Sequence, residues 1–329
     1  MRILLTGTTG QVGGALCGPL AKLGEVIPVN RTQLDLSRPE TIAEALNELK
    51  PDLVVNPAAY TAVDRAEDER SLAFRVNAEA PGALAAWAAR RNVPLIHFST
   101  DYVFDGSGER PWREDDAPSP LSAYGESKLA GEAAVRAAGG AHLIIRTSWV
   151  YANTGSNFML TIARLAIARK ELSVVADQYG APTSARVIAD GVMKILTLTE
   201  GSLTERLSRG RGVVNLTNSG ETSWHGFATA IVSGMVERGI EVKADRILPI
   251  TSDNYPTKAT RPRNSRLDSG RLAETFGVKT IAWQKALEVE LDELAEFYGT
   301  SISPKPPADD AKGERQASSV EASSVEARA

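Results

Sequence analysis

The sequence predicts an α/β protein built on a doubly wound parallel sheet, and two observations carry that prediction. Short apolar runs alternate with amphipathic stretches over the first 150 or so residues. Such alternation is typical of a parallel sheet covered by helices on both faces. The first run, residues 2–6, also breaks into a glycine-rich turn that leads into a helical pattern, which is the order that a Rossmann sheet uses to bind a dinucleotide.

The elements follow one another at spacings that suit strands and helices. We expect strands at 2–6, 26–29, 52–56, 94–99 and 142–147. We expect helices after the glycine turn, at 39–49, at 69–91 and around Tyr124. Beyond residue 150 the pattern is less regular, with helices predicted near 157–169, 185–198, 223–238 and 283–298 and strands at 172–176 and 212–216.

This pattern predicts two structural parts and a tail. Residues 1–149 and parts of 172–222 should form the dinucleotide-binding domain, and residues 150–171 and 223–302 a smaller substrate-binding region. The last segment, 303–329, is dominated by Ser, Ala, Glu, Pro and Lys and repeats Ser-Ser-Val-Glu-Ala. Such a composition cannot bury enough apolar surface to offset the entropy of ordering, so we expect a disordered tail.

Composition narrows the function classes. The 329 residues carry a formal net charge of −4, without a basic concentration or a run long enough to cross a bilayer, so neither nucleic acid nor a membrane is an expected partner. A single cysteine cannot form an internal disulfide, and the chain starts directly in a strand. Both features favour the cytoplasm. The histidines His97, His142 and His225 are not spaced like metal ligands, and no catalytic metal is expected.

The glycine turn is the first candidate site. Gly7, Gly10 and Gly13 stand at spacings that let the backbone bend tightly and approach a pyrophosphate. The following helix would direct free N–H groups at the phosphates. A glycine-rich turn without a ligand is the alternative for such a motif alone, and its position between the first strand and helix favours the dinucleotide site.

A second candidate site is the pair Tyr124 and Lys128. Four residues apart on a helix, they share one face. A neighbouring ammonium should lower the phenol pKa of about 10 by roughly 1 to 3 units, which would make Tyr124 a usable general acid. The alternative is a surface helix with a packed aromatic and a solvated lysine.

Together with these two motifs, the strings STDYVFDG at 99–106, RTSWVY at 146–151 and DQYGAPT at 177–183 resemble the extended short-chain dehydrogenase/reductases. More narrowly, the chain resembles the dTDP-4-dehydrorhamnose reductase family over about residues 1–300. The resemblance implies reduction of the 4-keto group of a dTDP-6-deoxy-hexulose by a nicotinamide hydride, the last step of dTDP-L-rhamnose synthesis. It also implies that the substrate partner is a dTDP-sugar.

The resemblance also implies roles for single residues. Tyr124 is the proton donor, Lys128 holds the nicotinamide ribose, and Thr100 hydrogen-bonds the substrate oxygen. Asp101 and Trp149 contact the substrate, and the stretch 259–267 brings Arg261 to its diphosphate. The implied cofactor contacts are Gly7, Gly10, Gln11, Val12, Gly13, Asn30, Arg31, Asp35, Leu36, Ala59, Tyr60 and Thr61, together with Tyr124 and Lys128.

The end of the second strand decides which nucleotide is preferred. NAD-selective sites place an acid there for the ribose 2′-hydroxyl, whereas this chain has Asn30 and Arg31, and an arginine can pair with a 2′-phosphate. We therefore expect NADPH, with NADH as an accepted alternative. The family's metal-bridged dimer uses glutamates where this chain has Ala15 and Arg186, so a monomer or a homodimer without a bridging metal is expected.

Two other functions are compatible with these motifs. A nucleotide-sugar epimerase or dehydratase also uses a tyrosine–lysine pair, but Thr100 is not followed by the Asp-Glu pair of a dehydratase. The regulatory subunit of methionine adenosyltransferase also resembles this family without being the enzyme itself, and fold alone does not exclude that role.

Overall fold

The computed structural model describes residues 1–209 and 212–301. The tail predicted at 303–329 lies outside the described residues. Twelve strands are described: β1 Arg2–Leu5, β2 Glu25–Pro28, β3 Leu53–Asn56, β4 Leu95–Thr100, β5 His142–Thr147, β6 Val150–Tyr151, β7 Glu171–Val175, β8 Tyr179–Gly180, β9 Thr183–Ser184, β10 Val213–Asn215, β11 Thr222–Ser223 and β12 Arg246–Ile250.

The helices cover both faces of the sheet and build the C-terminal part. They are α1 Gln11–Ala21, α2 Ile42–Leu49, α3 Val63–Ala66, α4 Arg70–Phe74, α5 Ala80–Arg90, α6 Ala123–Ala137, α7 Phe158–Ala168, α8 Ala185–Leu196, α9 Leu203–Leu207, α10 Trp224–Glu237, α11 Gly270–Phe276 and α12 Trp283–Ser301.

The central sheet has six parallel strands in the order β10-β5-β4-β3-β1-β2. After β1 the chain adds β2 on one side and then crosses to place β3 on the other. The crevice that binds ligands in such sheets lies at the carboxyl ends of the strands where the order reverses, here between β1 and β3. The predicted fold class, a doubly wound parallel sheet, is confirmed.

Apolar cores lie on both faces of this sheet. Ile3 and Leu5 of β1 face a core shared with α1 and α8. Leu4 faces the opposite core, to which α2, α5 and α6 contribute. Because both faces are covered, the strands are near-continuous apolar runs, which explains why the sequence indicated their positions.

The predicted helix at 69–91 is interrupted. Between α4 and α5 the residues Arg75–Glu79 form a π-helical turn. The carbonyl of Asn77 in this turn lies against α6, where a Cβ atom at Gly131 would stand only 2.0 Å from it. The backbones approach so closely that only glycine fits at that point of α6.

One predicted strand lies outside the central sheet. The run expected at 172–176 forms β7, which pairs in parallel with β12 in a separate two-stranded sheet. Within the range 172–222, parts of which were predicted to join the dinucleotide-binding domain, this run lies outside the central sheet, because it pairs with a strand more than 70 residues later. The run at 212–216 does join the sheet as β10. Strand β12 and helix α11 were not predicted.

The C-terminal part has its own apolar core around α7, α10 and α12, in which Tyr151, Met159, Phe227, Trp283 and Leu291 are buried. Among residues 1–209 and 212–301, no helix is both long and apolar enough to cross a bilayer.

Candidate active site

The glycine turn after β1 builds a tight backbone cradle. Gly7 has a positive φ of 59°, and its carbonyl accepts from Gly10 N at 2.9 Å. A Cβ atom on Gly13 would lie 2.1 Å from that carbonyl. Helix α1 then begins at Gln11 with Gly10 as its N-cap and without a side-chain cap or an acidic residue in its first turn. Its N–H groups are therefore open to an anion, as a pyrophosphate site requires.

The turn at residues 30–33, after β2, is exposed. Arg31 is exposed, and the side chain of Asn30 accepts from Thr32 N at 2.9 Å. The Ser37 hydroxyl and N–H hold the pKa of the Asp35 carboxyl below its usual value, with smaller contributions from neighbouring arginines that include Arg31. Leu36 is buried. An exposed guanidinium at this place is compatible with a 2′-phosphate.

The loop after β3 is tied to the start of α6 through one buried amide. Tyr60 N donates to Asn77 Oδ1 at 2.8 Å, and Asn77 Nδ2 donates to the Tyr60 carbonyl and to Ser127 Oγ, both at 3.0 Å. Ser127 in turn donates to the Tyr124 carbonyl at 2.7 Å. The loop that contains Ala59 and Thr61 is thereby held at a fixed place relative to Tyr124. The sequence motifs did not point to Asn77 or Ser127.

Tyr124 lies in the first turn of α6, packed edge-to-face on Tyr102 with ring centroids 5.4 Å apart. Burial raises the pKa of the Tyr124 phenol above its ordinary value of 10; the neighbouring Thr100 hydroxyl opposes the rise and the Asp101 carboxylate adds to it. The phenol is therefore protonated at neutral pH.

Lys128 is 2% exposed, and its Nζ donates to the Phe98 carbonyl of β4 at 2.6 Å. Burial lowers its pKa from 10.5 to about 8, and the charge of Glu132 opposes that change. The prediction that Lys128 lowers the pKa of the Tyr124 phenol is wrong, because burial of the phenol outweighs any such effect and the ammonium is directed to the β4 main chain.

Thr100 and Asp101 stand at the carboxyl end of β4, beside Tyr124. Thr100 Oγ1 donates to Asp101 Oδ1 at 2.9 Å and accepts from Tyr102 N at 3.2 Å. Burial raises the pKa of Asp101 from 3.8 to about 6, against the opposing effects of the Ser265 and Thr100 hydroxyls. The other oxygen, Asp101 Oδ2, is buried without a hydrogen-bond partner among the described residues.

A buried ion pair clamps α6 to β5. Arg146, 1% exposed, binds Glu132 through two hydrogen bonds, Nε to Oε1 at 2.8 Å and Nη2 to Oε2 at 2.7 Å. Its guanidinium also lies 5.0 Å from the centre of the Phe104 ring. Glu132 stands one helical turn beyond Lys128, so the clamp fixes the helix face that carries both Tyr124 and Lys128.

Trp149 adopts a positive φ of 49°, a conformation that costs a side-chain-bearing residue about 1 to 2 kcal/mol. Its indole stacks on Trp224 with ring centroids 3.5 Å apart and planes inclined by 8°. A Cβ atom on Gly180 would lie 2.5 Å from the Trp149 ring. The glycine of the DQYGAPT string therefore makes room for this indole.

Arg261 is held over the start of α3. Its Nη2 pairs with Asp64 Oδ2 at 3.0 Å, and its side chain is 14% exposed. Asp64 Oδ1 also accepts from Ala259 N at 3.0 Å. The Arg261 guanidinium therefore already has an acidic partner. Its Nε atom is buried and has no hydrogen-bond partner among the described residues.

Arg186, which stands where the metal-bridged dimers of the family have a glutamate, belongs to a cluster of ion pairs. Arg186 pairs with Glu293 and lies 3.7 Å from Glu290. Within the two described ranges, no group of three or more His, Cys, Asp or Glu residues could hold a metal ion.

Comparisons with known proteins all place the most similar sequences in one family. The family model for the RmlD substrate binding domain matches residues 1–296. A dTDP-4-dehydrorhamnose reductase of Burkholderia thailandensis is 48% identical over 298 residues, which are 89% of this chain and 99% of that protein. The enzyme of the same name from Escherichia coli K12 is 42% identical over 308 residues, covering 92% of this chain and 100% of that protein.

Solved structures agree with these matches. The dTDP-4-dehydrorhamnose reductase of Clostridium acetobutylicum superposes with a TM-score of 0.82 at 37% identity, over 89% of this chain and 99% of that one. The Bacillus anthracis reductase, solved in complex with NADP, gives a TM-score of 0.81 at 32% identity, again over 89% and 99% of the two chains. The chain therefore belongs to the dTDP-4-dehydrorhamnose reductase family.

Proposed function

We propose that this protein reduces the 4-keto group of dTDP-4-dehydro-β-L-rhamnose to form dTDP-L-rhamnose, with NADPH as the reductant. This is the last step of dTDP-rhamnose biosynthesis. The observation that carries the proposal is a protonated phenol, Tyr124, beside the Thr100 hydroxyl and linked through Asn77 to the loop after β3. That loop borders the crevice which the glycine turn opens.

The residues around the crevice fit the cofactor. The backbone contact between Gly7 and Gly13 leaves no room for a side chain, and the uncapped start of α1 suits a pyrophosphate. Gln11 and Val12 would complete that turn, the loop at 59–61 would border the nicotinamide, and Arg31 would meet the 2′-phosphate. When bound, NADPH supplies a hydride to the carbonyl carbon.

The protein's own part in the reaction is to deliver a proton. A carbonyl carbon that accepts a hydride leaves negative charge on its oxygen, so a donor must stand at that oxygen. The raised pKa of Tyr124 keeps its proton in place until the oxygen becomes basic. Thr100 would hydrogen-bond the same oxygen. Lys128, on the same face of α6, would hold the nicotinamide ribose.

The substrate would lie against the C-terminal part of the molecule. We propose that residues 1–149 with parts of 172–222 bind the dinucleotide and that 150–171 and 223–302 cover the dTDP-sugar. Asp101 offers an unpaired buried oxygen to a sugar hydroxyl. Trp149 offers an indole, and Arg261 would have to exchange Asp64 for the diphosphate or bind both.

Replacement of Tyr124 by phenylalanine tests the proposal. We expect Tyr124→Phe to keep NADPH binding within about twofold and to lower kcat by roughly 10²- to 10⁴-fold, the usual effect of a lost general acid. The matched control is Tyr151→Phe, which removes a buried hydroxyl that has no hydrogen-bond partner among the described residues and lies in the C-terminal core. Near-normal turnover by Tyr124→Phe would show that another group donates the proton.

The same assay separates the alternatives. A reductase consumes one NADPH for each sugar converted, whereas an epimerase or a dehydratase regenerates its cofactor. A regulatory protein would bind the nucleotide without converting the dTDP-keto-sugar.

A further inference from the structure

A row of three polar side chains crosses the carboxyl end of the sheet. Thr6 follows β1, Asn56 ends β3, and His97 lies in β4, where it is in register with Asn56. These strands are neighbours in the sheet. By strand alternation the three side chains lie on the same face as Leu4 and Val54, the face that α5 and α6 cover. All three are at most 2% exposed.

The hydrogen bonds of this row run in one direction. Ala58 N, in the loop after β3, donates to Thr6 Oγ1 at 3.2 Å. Thr6 Oγ1 donates to Asn56 Oδ1 at 2.7 Å. Asn56 Nδ2 then faces His97 Nδ1 at 3.2 Å. Thr6 Oγ1 thus accepts from the backbone N–H and donates to the Asn56 amide oxygen, and the Asn56 amide nitrogen faces the imidazole.

This contact bears on the form of the imidazole. With Asn56 Nδ2 as the donor, Nδ1 would carry a lone pair, and the ring would be neutral with its proton on Nε2. Burial and the nearby charge of Lys128 also hold the pKa of His97 well below 6.5, while a main-chain contact with Asn56 acts in the opposite sense. Nε2 is buried without a partner among the described residues.

The charged groups around this ring come from α6 and β5. Lys128 is held by the carbonyl of Phe98, the residue next to His97. Glu132, one turn further along α6, is paired with Arg146 of β5. Thr6 and Asn56, from β1 and β3, carry no charge. An imidazolium at this position would place a second cation beside the buried ammonium of Lys128.

We propose that His97 is a positioning residue for the reaction: its imidazole, kept neutral by the hydrogen-bond row that starts in the loop after β3, allows Lys128 to hold its charge at the base of the site. The row connects the loop expected to border the nicotinamide with the strand that carries the Lys128 acceptor and Thr100. This inference rests on the proposed function.

Nuclear magnetic resonance of the imidazole nitrogens tests whether His97 is neutral, and it requires no enzymatic turnover. The expected result for the wild-type protein is a proton on Nε2 of His97, none on Nδ1, and no titration around the ordinary imidazole pKa of 6.5. A proton on Nδ1, or titration of His97 near its ordinary pKa, would overturn the proposal.

The substitution Asn56→Asp replaces the amide that faces His97 with a carboxylate. It tests whether a neutral imidazole is needed for Lys128 to hold its charge. A carboxylate accepts from Nδ1–H, so His97 should gain a proton there and become ionisable. We expect kcat/KM and NADPH affinity of this variant to fall by about tenfold or more between pH 8 and pH 6, beyond any change in the wild type. His97→Gln, whose amide can accept from Asn56 while remaining neutral, should follow the wild-type pH profile.

Two outcomes would give His97 a purely structural role and overturn the proposal. One is an Asn56→Asp profile parallel to that of the wild type, and the other is a His97→Gln variant whose activity falls toward pH 6 as steeply as that of Asn56→Asp. Failure of the proposed function would give a different experimental result. A wild-type protein that binds NADPH but does not convert the sugar would defeat the reductase assignment, while the imidazole signals and the pH dependence of NADPH binding would still report on His97.

Discussion

Lys128 should destabilise the folded protein at neutral pH, although it belongs to the proposed catalytic machinery. Its ammonium is almost completely buried, with the Phe98 carbonyl as its hydrogen-bond acceptor. The substitution Lys128→Met removes the charge and keeps a long, unbranched side chain. It also removes that hydrogen bond, and this loss should not depend on pH below the pKa of the lysine.

The depressed pKa of Lys128 determines how much the difference in unfolding free energy between the wild type and Lys128→Met changes with pH. A change from 10.5 in the unfolded chain to about 8 in the folded one corresponds to about 3 kcal/mol of lost stability at neutral pH. Because the folded-state value is the lower one, the unfolded chain binds more protons between about pH 8 and pH 10.5. The wild type therefore gains stability relative to the variant as the pH rises through that window, by about 2 to 3 kcal/mol between pH 7 and pH 10.

Urea unfolding of both proteins at several values between pH 7 and pH 10 measures this difference. Groups that titrate equally in the two proteins cancel when the free energies of unfolding are subtracted. The matched control is Lys194→Met, because Lys194 on α8 is exposed and its ammonium remains in water in both states. A wild-type minus Lys128→Met difference that stays constant over this range would refute the reasoning that burial depresses the pKa of Lys128.

Two further predictions concern the cofactor and the packing of α6. Arg31→Ala should weaken NADPH binding by about 10- to 100-fold, the effect of a lost charge-assisted hydrogen bond, and leave NADH binding nearly unchanged; equal losses for both cofactors would place Arg31 away from the 2′-phosphate. Gly131→Ala should lower the melting temperature, because its Cβ would meet the Asn77 carbonyl at 2.0 Å and overpacking costs about 1 to 3 kcal/mol. The control Gly18→Ala, on α1 with open space around it, should be neutral or stabilising by up to about 1 kcal/mol, and a similar gain at Gly131 would contradict the close approach.

The sheet was predictable because its signals are local. The inner strands β1, β3, β4 and β5 are buried on both faces, so each appears in the sequence as an apolar run that needs no partner to be recognised. The glycine turn was equally predictable from the sequence, because the approach of Gly13 to the Gly7 carbonyl involves residues only six positions apart. The position of β7 outside the central sheet was not predictable, because its pairing with β12 joins segments more than 70 residues apart, and no local pattern encodes that contact.

The proximity of the predicted site residues on α6 and at the end of β4 was predictable from the sequence, whereas their electrostatics were not. Spacing alone placed Tyr124 and Lys128 on one helix face, and the motif strings added Thr100 and Asp101. The direction of the Tyr124 pKa shift was wrong because it depends on burial by Tyr102 and its neighbours, which become close only when β4 and α6 pack together. Asn77 and Arg146 went unnoticed as positioning residues for the same reason.

The amino-acid sequence by itself determined the layered architecture, the cradle at Gly7, the tyrosine–lysine pair on α6 and the family, because periodicity and short spacings express local backbone geometry. Only the tertiary structure decided where the Lys128 ammonium is directed, which way the hydrogen bonds between Thr6 and His97 run, and that Glu132 is paired with Arg146. Those features arise from the register of neighbouring strands and from burial, which sets the dielectric around each charge, and neither exists until distant parts of the chain have packed.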